Sequence, residues 1–451
     1  MTGAGAQNAP GHRSRDVRAV TASLAAQEGR TTSRHPLANF FSLLMAIVLV
    51  TLVVTHSLIG YLAAVHPQWA LALGSYPAAE LQIANDVVVT DGASGAPKGS
   101  ADNPPSGGTA AAIRDRITRA LYQDPLNARA FELLGALEAS RSAPAADRFM
   151  QAAVNRSRRT PAALYWLARR KLAQGDTHSA MALADTVLRI RPAAMSIVAP
   201  IVAKIAAMPE GEDQVIGVLA AAPLWRQAFF HLLNSHAKAA DVSAHLLLAL
   251  QGTPHPPTDR EVDGCISSLV KNRKFELAYY MWLQFLPPDK AKDVKLLFNG
   301  DFRFEPTPVP FDWSMQGGSG VIAEIASDND QRGRNVLSIG LSGGRVNFHP
   351  IAQTLFLQPG RYRFSVRAKG SIDGPRGLKW QVACLVPAWK IVAETPMLLG
   401  ANPQWRELSS PFDVPPGCEA QTLSLILAAR SASETLVSGS AAFADIKLER
   451  D

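Results

Sequence analysis

From Ala38 to Val65 the chain reads ANFFSLLMAIVLVTLVVTHSLIGYLAAV, and no Asp, Glu, Lys or Arg occurs between Pro36 and Ala79. A helix needs about 20 apolar residues to cross a bilayer, so this run predicts a membrane-spanning helix over 38–65. His56 is its one group that titrates near neutrality and reads as a neutral passenger. The run exceeds the roughly 7–15 residues of a cleaved signal peptide's apolar core and follows a long arm, which favours an uncleaved signal anchor. Trp69 to Asn85 then predicts a short helical segment within 66–89. Thr90 to Thr109 is dominated by Gly, Ser, Pro and Asp and reads as a flexible linker. Across 110–292 apolar residues recur three and four apart, the spacing of amphipathic helices. At Leu296 the pattern changes. LLFNGDFRFEPTPVPFDW, Leu296 to Trp313, reads as the first strand of a new domain. Short alternating runs with Gly and Pro turns follow to Asp451: GVIAEIAS, NVLSIGLS, QTLFLQPGRYRFSVRAKG, LKWQVACLV, WRELSSPFDVP, QTLSLILAAR and AAFADIKLE. Strands at that spacing predict an all-β sandwich or barrel over 296–451.

Within the helical stretch, Phe131 to Tyr165 and Leu134 to Ala168 are each one 34-residue step. Counting Pro161 as position 1, Leu164, Leu167 and Ala168 fall at positions 4, 7 and 8. Ala180, Ala184 and Val187 fall at 20, 24 and 27, and Pro192 at 32. Small residues at 8 and 20 let two helices approach closely, and Gln174-Gly175-Asp176 makes the turn between them. This pattern resembles the tetratricopeptide (TPR) repeat, and Lys274-Phe275-Glu276 followed by Ala278 resembles it again. The resemblance implies a stacked helical array whose long surface binds protein. Trp225, Phe229 and Phe230, and Tyr279 with Trp282, lie at helical spacing and read as packing between stacked helices.

The β region carries, in order, N-G-x-F-x-x-E at Asn299, P-F-x-W ending at Trp313, L-x-P-G-x-Y-x-F-S-V-x-A-K from Leu357, W-R-E-L at Trp405, P-F-x-V-P at Pro411 and a terminal A-D-I-K-L-E. It resembles the galactose-binding-like jelly roll of carbohydrate-binding modules. The resemblance implies Tyr362, Phe364 and Val366 facing the core, Asn299 to Phe302 pairing with Asp445 to Leu448, and a buried Trp405. It implies sugar binding by exposed aromatic rings, for which Trp313, Phe348, Trp380 and Trp389 are the candidates. Many such modules hold a structural calcium where first and last strands meet, and the matching residues are Asp301, Glu305 and Asp445. Calcium takes six to eight oxygen ligands, so those side chains would need backbone carbonyls beside them.

Composition adds compartment and excludes function classes. The chain has 451 residues, 47% hydrophobic and only 18% charged, ample for several cores. Of its net charge of +7, Arg13, Arg15, Arg18, Arg30 and Arg34 precede the apolar helix, against Asp16 and Glu28. Residues 1–37 therefore read as a disordered basic arm kept in the cytoplasm, with the bulk of the chain outside. No basic run is interleaved with aromatics, so no nucleic-acid partner is expected. Three cysteines are too few for a disulfide scaffold. Cys384 and Cys418 either pair, in an oxidising compartment, or remain separate buried thiols. Gly340-Leu341-Ser342-Gly343-Gly344 fits G-x-S-x-G, but a nucleophile elbow needs a strand followed by a helix, and strands flank it on both sides. No phosphate loop, H-E-x-x-H or dinucleotide fingerprint occurs, and carboxylates are sparse in the β region.

The sequence thus predicts a multi-domain protein: one N-terminal transmembrane helix, an all-α TPR-like domain and a C-terminal all-β jelly-roll sandwich. The expected function is that of a non-enzymatic accessory protein for surface polysaccharide (exopolysaccharide) synthesis or export, single-pass in a bacterial inner membrane with its bulk in the periplasm. Its helical repeat would dock the synthesis or export machinery and its jelly roll would hold a polysaccharide. The alternative is a pure protein scaffold whose jelly roll binds no sugar, and burial of Trp313, Trp380 and Trp389 discriminates the two.

Overall fold

A computed structural model describes residues 36–90, 107–328 and 333–451. The basic arm, and most of the linker expected over 90–109, lie outside the described residues. The chain divides into two compact units, one of helices running to Leu133 and one from Leu134 to Asp451.

In the first unit, α1 (Pro36–Val65) is the apolar helix, and it is long and apolar enough to cross a membrane. The single helix expected over Trp69–Asn85 is two, α2 (Pro67–Leu73) and α3 (Pro77–Thr90). Pro77 breaks the run, because a proline pushes the residue before it out of helical geometry. Then come α4 (Gly107–Gln123) and α5 (Ala128–Glu138), the latter reaching across the unit boundary. Glu80, 6% exposed, accepts from Arg116 at 2.8 Å and Arg119 at 3.1 Å, tying α3 to α4.

The second unit begins with helical hairpins. After α6 (Ala143–Arg156), α7 (Pro161–Ala173) and α8 (Thr177–Ile190) pack along the small residues the spacing singles out: Ala168, Ala180 and Ala184 are buried. Asp176 caps α8 by accepting from the Ser179 N–H at 3.0 Å. Next are α9 (Met195–Ala206), α10 (Pro209–Ala220), α11 (Arg226–Ser235), α12 (Ala240–Leu250), α13 (Asp259–Lys271), α14 (Phe275–Phe285) and the single turn α15 (Pro288–Ala291). Trp225, Phe229 and Phe230 are in the core of this array, as their spacing predicts. Arg226 spans it: its guanidinium is bidentate to Glu261 at 3.0 and 2.8 Å, and Glu261 also closes the capping box of α13 with Thr258.

Among the described residues, nine antiparallel strands form the sandwich. They are β1 (Val321–Asp328), β2 (Arg334–Arg345), β3 (Ile351–Leu355), β4 (Gly360–Asp373), β5 (Leu378–Cys384), β6 (Lys390–Glu394), β7 (Gly400–Val414), β8 (Gln421–Leu427) and β9 (Leu436–Arg450). One sheet has the order β1-β2-β9-β4-β7, the other β3-β8-β5-β6. Gly340 to Gly344 lies inside β2, so it makes no nucleophile elbow. Tyr362, Phe364 and Val366 alternate into the core, as expected. Trp380, from the four-stranded sheet, fills the space between sheets. Its ring lies 5.6 Å from Phe443, 6.0 Å from Phe364 and 5.7 Å from Trp313. Cys384 and Cys418 form a disulfide, fastening the end of β5 to the loop before β8.

Leu296–Trp313 is not a strand. It is an irregular strap whose side chains leave for two different cores. Leu297, Phe302 and Trp313 enter the sandwich, while Phe298, Val309 and Phe311 enter the helical core. There Phe298 meets Trp282 at 5.2 Å, and Phe311 meets Tyr279 at 5.2 Å. An irregular backbone between two cores must find partners for its polar groups. Side chains supply them. Gln353 brackets Phe298, accepting from its N–H at 3.2 Å and donating to its C=O at 2.9 Å. Asn299 does the same for Phe304 at 3.0 and 2.9 Å, and buried Asp312 accepts from the Thr307 N–H at 2.9 Å. The expected pairing with the last strand survives as one bond, Ile446 N–H to Gly300 C=O at 2.9 Å. A side chain at Gly300 would put its Cβ 2.1 Å from the Ile446 carbonyl, so the approach requires glycine.

Candidate functional site

The inner face of the five-stranded sheet is set by Tyr362, Phe364, Val366 and Ala368 on β4, and the residues between them point the other way. Arg363, Ser365, Arg367 and Lys369 therefore line the outer face. On the neighbouring edge strand β7, Leu408 pairs with Val366, and Phe412 with Tyr362, so even-numbered residues face in. Arg406 still pairs with Ala368, and Trp405 next to it turns outward. There the indole is partly buried, with the Lys369 ammonium 5.0 Å and the Arg367 guanidinium 5.5 Å from its ring centroid. Its Nε1 is shielded and has no hydrogen-bond partner among the described residues.

Carboxylates complete the face. Arg367 meets Asp445 of β9 at 3.5 Å, and Arg334 of β2 meets the same carboxylate at 3.8 Å. Lys369 donates to Asp328 of β1 at 2.7 Å. Strands β9 and β2 lie between β4 and β1, a separation of about 14 Å across a flat sheet at the usual spacing. A lysine and an aspartate do not span that distance, so the sheet bows toward this face at the Asp328 end. The outcome is a trough with an indole on one wall, carboxylates and cations along its floor, and small side chains such as Ser338, Ser440 and Ala442 on the outward side of β2 and β9. An indole face stacks on the C–H face of a pyranose, and fixed carboxylate and guanidinium groups bind hydroxyls in pairs. The arrangement can therefore hold a neutral or zwitterionic sugar chain.

Of the four aromatic residues expected to bind sugar, two are in the core and two reach the surface. Trp313 and Trp380 touch each other, but in the core at 1% and 0% exposure, with the Trp313 Nε1 donating to the Asn299 carbonyl at 2.9 Å. Neither offers a ring to a ligand, because both fill the space between the sheets. Phe348 is half-buried against the sandwich core. Trp389 is 57% exposed, in the turn between β5 and β6. Trp405, expected to be buried, is partly buried, and the register places it on the outer face of the sheet.

The expected calcium donors are not gathered. Asp301 is exposed and accepts from the Arg303 N–H at 3.4 Å, Glu305 is exposed beside a cleft of about 610 Å³, and Asp445 is held by two arginines. Two guanidinium charges on the one carboxylate disfavour a divalent cation, and among the described residues no three His, Cys, Asp or Glu side chains cluster at metal-binding distance. The residues do not fit calcium at this place.

No family model matches the chain, and neither does any curated protein. The C-terminal all-β region resembles carbohydrate-binding modules among solved structures. One, a family 4 module (CBM4), is 18% identical, covering 34% of this chain and 99% of that one with a TM-score of 0.26. Another, TmCBM61 in complex with β-1,4-galactotriose, is 15% identical, covering 35% and 99%, with a TM-score of 0.26. A family 16 module is 18% identical, covering 34% and 99%, with a TM-score of 0.25.

Proposed function

We propose that this chain is a membrane-anchored, non-enzymatic binding protein whose sandwich holds a polysaccharide in the trough beside Trp405. The carrying observation is an outward indole set among paired cations and carboxylates on a bowed sheet. Asp328 and Asp445 are each held by cations, which suits fixed hydrogen-bond acceptors better than a proton-transferring pair. In this reading α1 crosses a bacterial inner membrane, and the arginines before it keep the N-terminus in the cytoplasm. The sandwich then lies in the periplasm, and the Cys384–Cys418 disulfide supports an oxidising compartment. The helical array docks a protein of the surface-polysaccharide synthesis or export machinery. A cleft of about 850 Å³ between α11 and α13, whose lining includes Phe230, His231, Asn234, Arg260, Asp263 and Lys271, supports that role.

The scaffold reading, in which the sandwich binds no sugar, is favoured by the burial of Trp313 and Trp380 and opposed by the exposure of Trp389. The test is retardation of the detergent-solubilised full chain in polysaccharide gels, wild type beside Trp405→Ala. A tryptophan at the centre of a binding site contributes about 2 kcal/mol or more. That is a roughly 30-fold loss of affinity for Trp405→Ala. Failure of the wild type to bind any of a panel of neutral and acidic bacterial polysaccharides would leave the scaffold reading in its place.

A further inference from the structure

The first compact unit carries few large apolar side chains in water beyond α1, and they are not scattered. Among the described residues between 66 and 133 the exposed ones are Trp69, Leu73, Tyr122 and Leu126, at 65%, 63%, 85% and 75% exposure. Trp69 and Leu73 are one turn apart on α2, a helix that starts two residues after α1 ends. The neighbouring side of α2 is already occupied, because Ala70 packs with Ala63 of α1 and Ala79 of α3, and Leu71 packs against that cluster. Tyr122 and Leu126 come from the far end of α4 and the turn after it, on either side of Gln123. The Gln123 side chain donates to Ser75 Oγ, in the link between α2 and α3. That bond sets the far end of α4, which carries Tyr122, beside the link that follows α2.

Charge is arranged to match. No Asp, Glu, Lys or Arg precedes Glu80 in the stretch from Pro36, and Glu80 is withdrawn beneath Arg116 and Arg119. An apolar segment continuous with a membrane helix and followed by guanidinium groups has the composition of the headgroup layer's own protein belts, and the carboxylate beside Tyr122 and Leu126, Asp124, accepts from Asn127. Water does not suit large apolar side chains this exposed, and a lipid surface would cover them.

We propose that α2, together with Tyr122 and Leu126, lies in the headgroup layer of the bilayer that α1 crosses, so that the first unit is seated on the lipid surface. The proposal rests on the reading of α1 as a membrane anchor. It fixes which way that unit faces, with α2 lying along the interface, Trp69 and Leu73 among the upper acyl carbons, and Arg116 and Arg119 at phosphate depth.

Depth-dependent quenching tests it on the full chain in phosphatidylcholine vesicles. Single cysteines replace Leu49, Trp69, Leu73, Leu126 and Leu224 in turn, each carrying an environment-sensitive fluorophore. The native Cys384 and Cys418 are disulfide-bonded and Cys265 is buried, so none competes for label. Nitroxide lipids carry the quencher either near the headgroup or near the chain end. The expected result is quenching of Leu49→Cys by the deep quencher. Trp69→Cys, Leu73→Cys and Leu126→Cys should shift to the blue and lose intensity to the shallow one, and fully exposed Leu224→Cys should be unaffected by either. Quenching at Leu49→Cys with these three positions behaving like Leu224→Cys would overturn the proposal and leave the anchor standing. Loss of quenching at Leu49→Cys would remove the anchor, and the proposal with it.

Discussion

Gln353→Met tests the strap most sharply. Gln353 is 1% exposed on β3, and its amide is the partner of both the N–H and the C=O of Phe298, itself 3% exposed. Methionine has a similar volume, so the substitution leaves little cavity and isolates the polar loss. Two buried backbone groups are then orphaned, each at a cost of about 1–3 kcal/mol, or about 2–6 kcal/mol together. For a unit the size of Leu134–Asp451 that lowers Tm by about 3 °C or more. Ile351→Val, two residues away and equally buried, removes only a methylene and should cost about 0.5–1.5 kcal/mol. Circular dichroism melts of the three proteins in one detergent read the difference. A Gln353→Met protein that melts within about 1 °C of wild type would refute the claim that side-chain amides carry the strap's backbone.

Other consequences follow from single residues. Arg226→Met leaves Glu261 buried without its cation and should cost about 3–5 kcal/mol, measured as a fall in the urea midpoint. Reducing Cys384–Cys418 opens a loop of sequence separation 34 and should cost about 4 kcal/mol on the chain-entropy account, so an unchanged melt in reductant would contradict it. The Ser179 backbone N–H, then its hydroxyl and Lys171, hold the Asp176 carboxyl at about 2 against an ordinary 3.8. A depressed carboxyl stabilises the fold above its ordinary value. That contribution is lost as pH falls from 3.8 toward 2, and Asp176→Ala should flatten this part of the acid-unfolding curve. Burial pushes the Cys265 thiol up to about 11, so it should resist alkylation at neutral pH until the helices unfold.

Most of the architecture was legible because it follows periods. Apolar spacing of three and four marks the hairpin of α7 and α8 down to Ala168 and Ala180, and spacing of two marks Tyr362, Phe364 and Val366. The strap was misread because Phe302 and Phe304 alternate like a strand. What decides their fate is a second core, which no local pattern announces. Strand β6 has five residues, too short for a period to show. Trp380 was readable as core, since Leu378, Trp380, Val382 and Cys384 share one parity of β5. Trp405 was readable too. It is out of step with Leu408, Phe412 and Val414 by an odd number of residues, which places it on the outer face. The trough itself was not legible, because Asp328, Arg334, Lys369 and Asp445 come from four strands and meet only through register and the bowing of the sheet.

The most direct test of the sugar-binding claim is oxidative footprinting of tryptophans in the full chain, with and without the polysaccharide that best retards it. The trough predicts that Trp405 becomes protected while Trp389 stays reactive, and that Trp313 and Trp380 are unreactive in both states. Protection at Trp389 with Trp405 unchanged would contradict the account and move the site to the turn between β5 and β6.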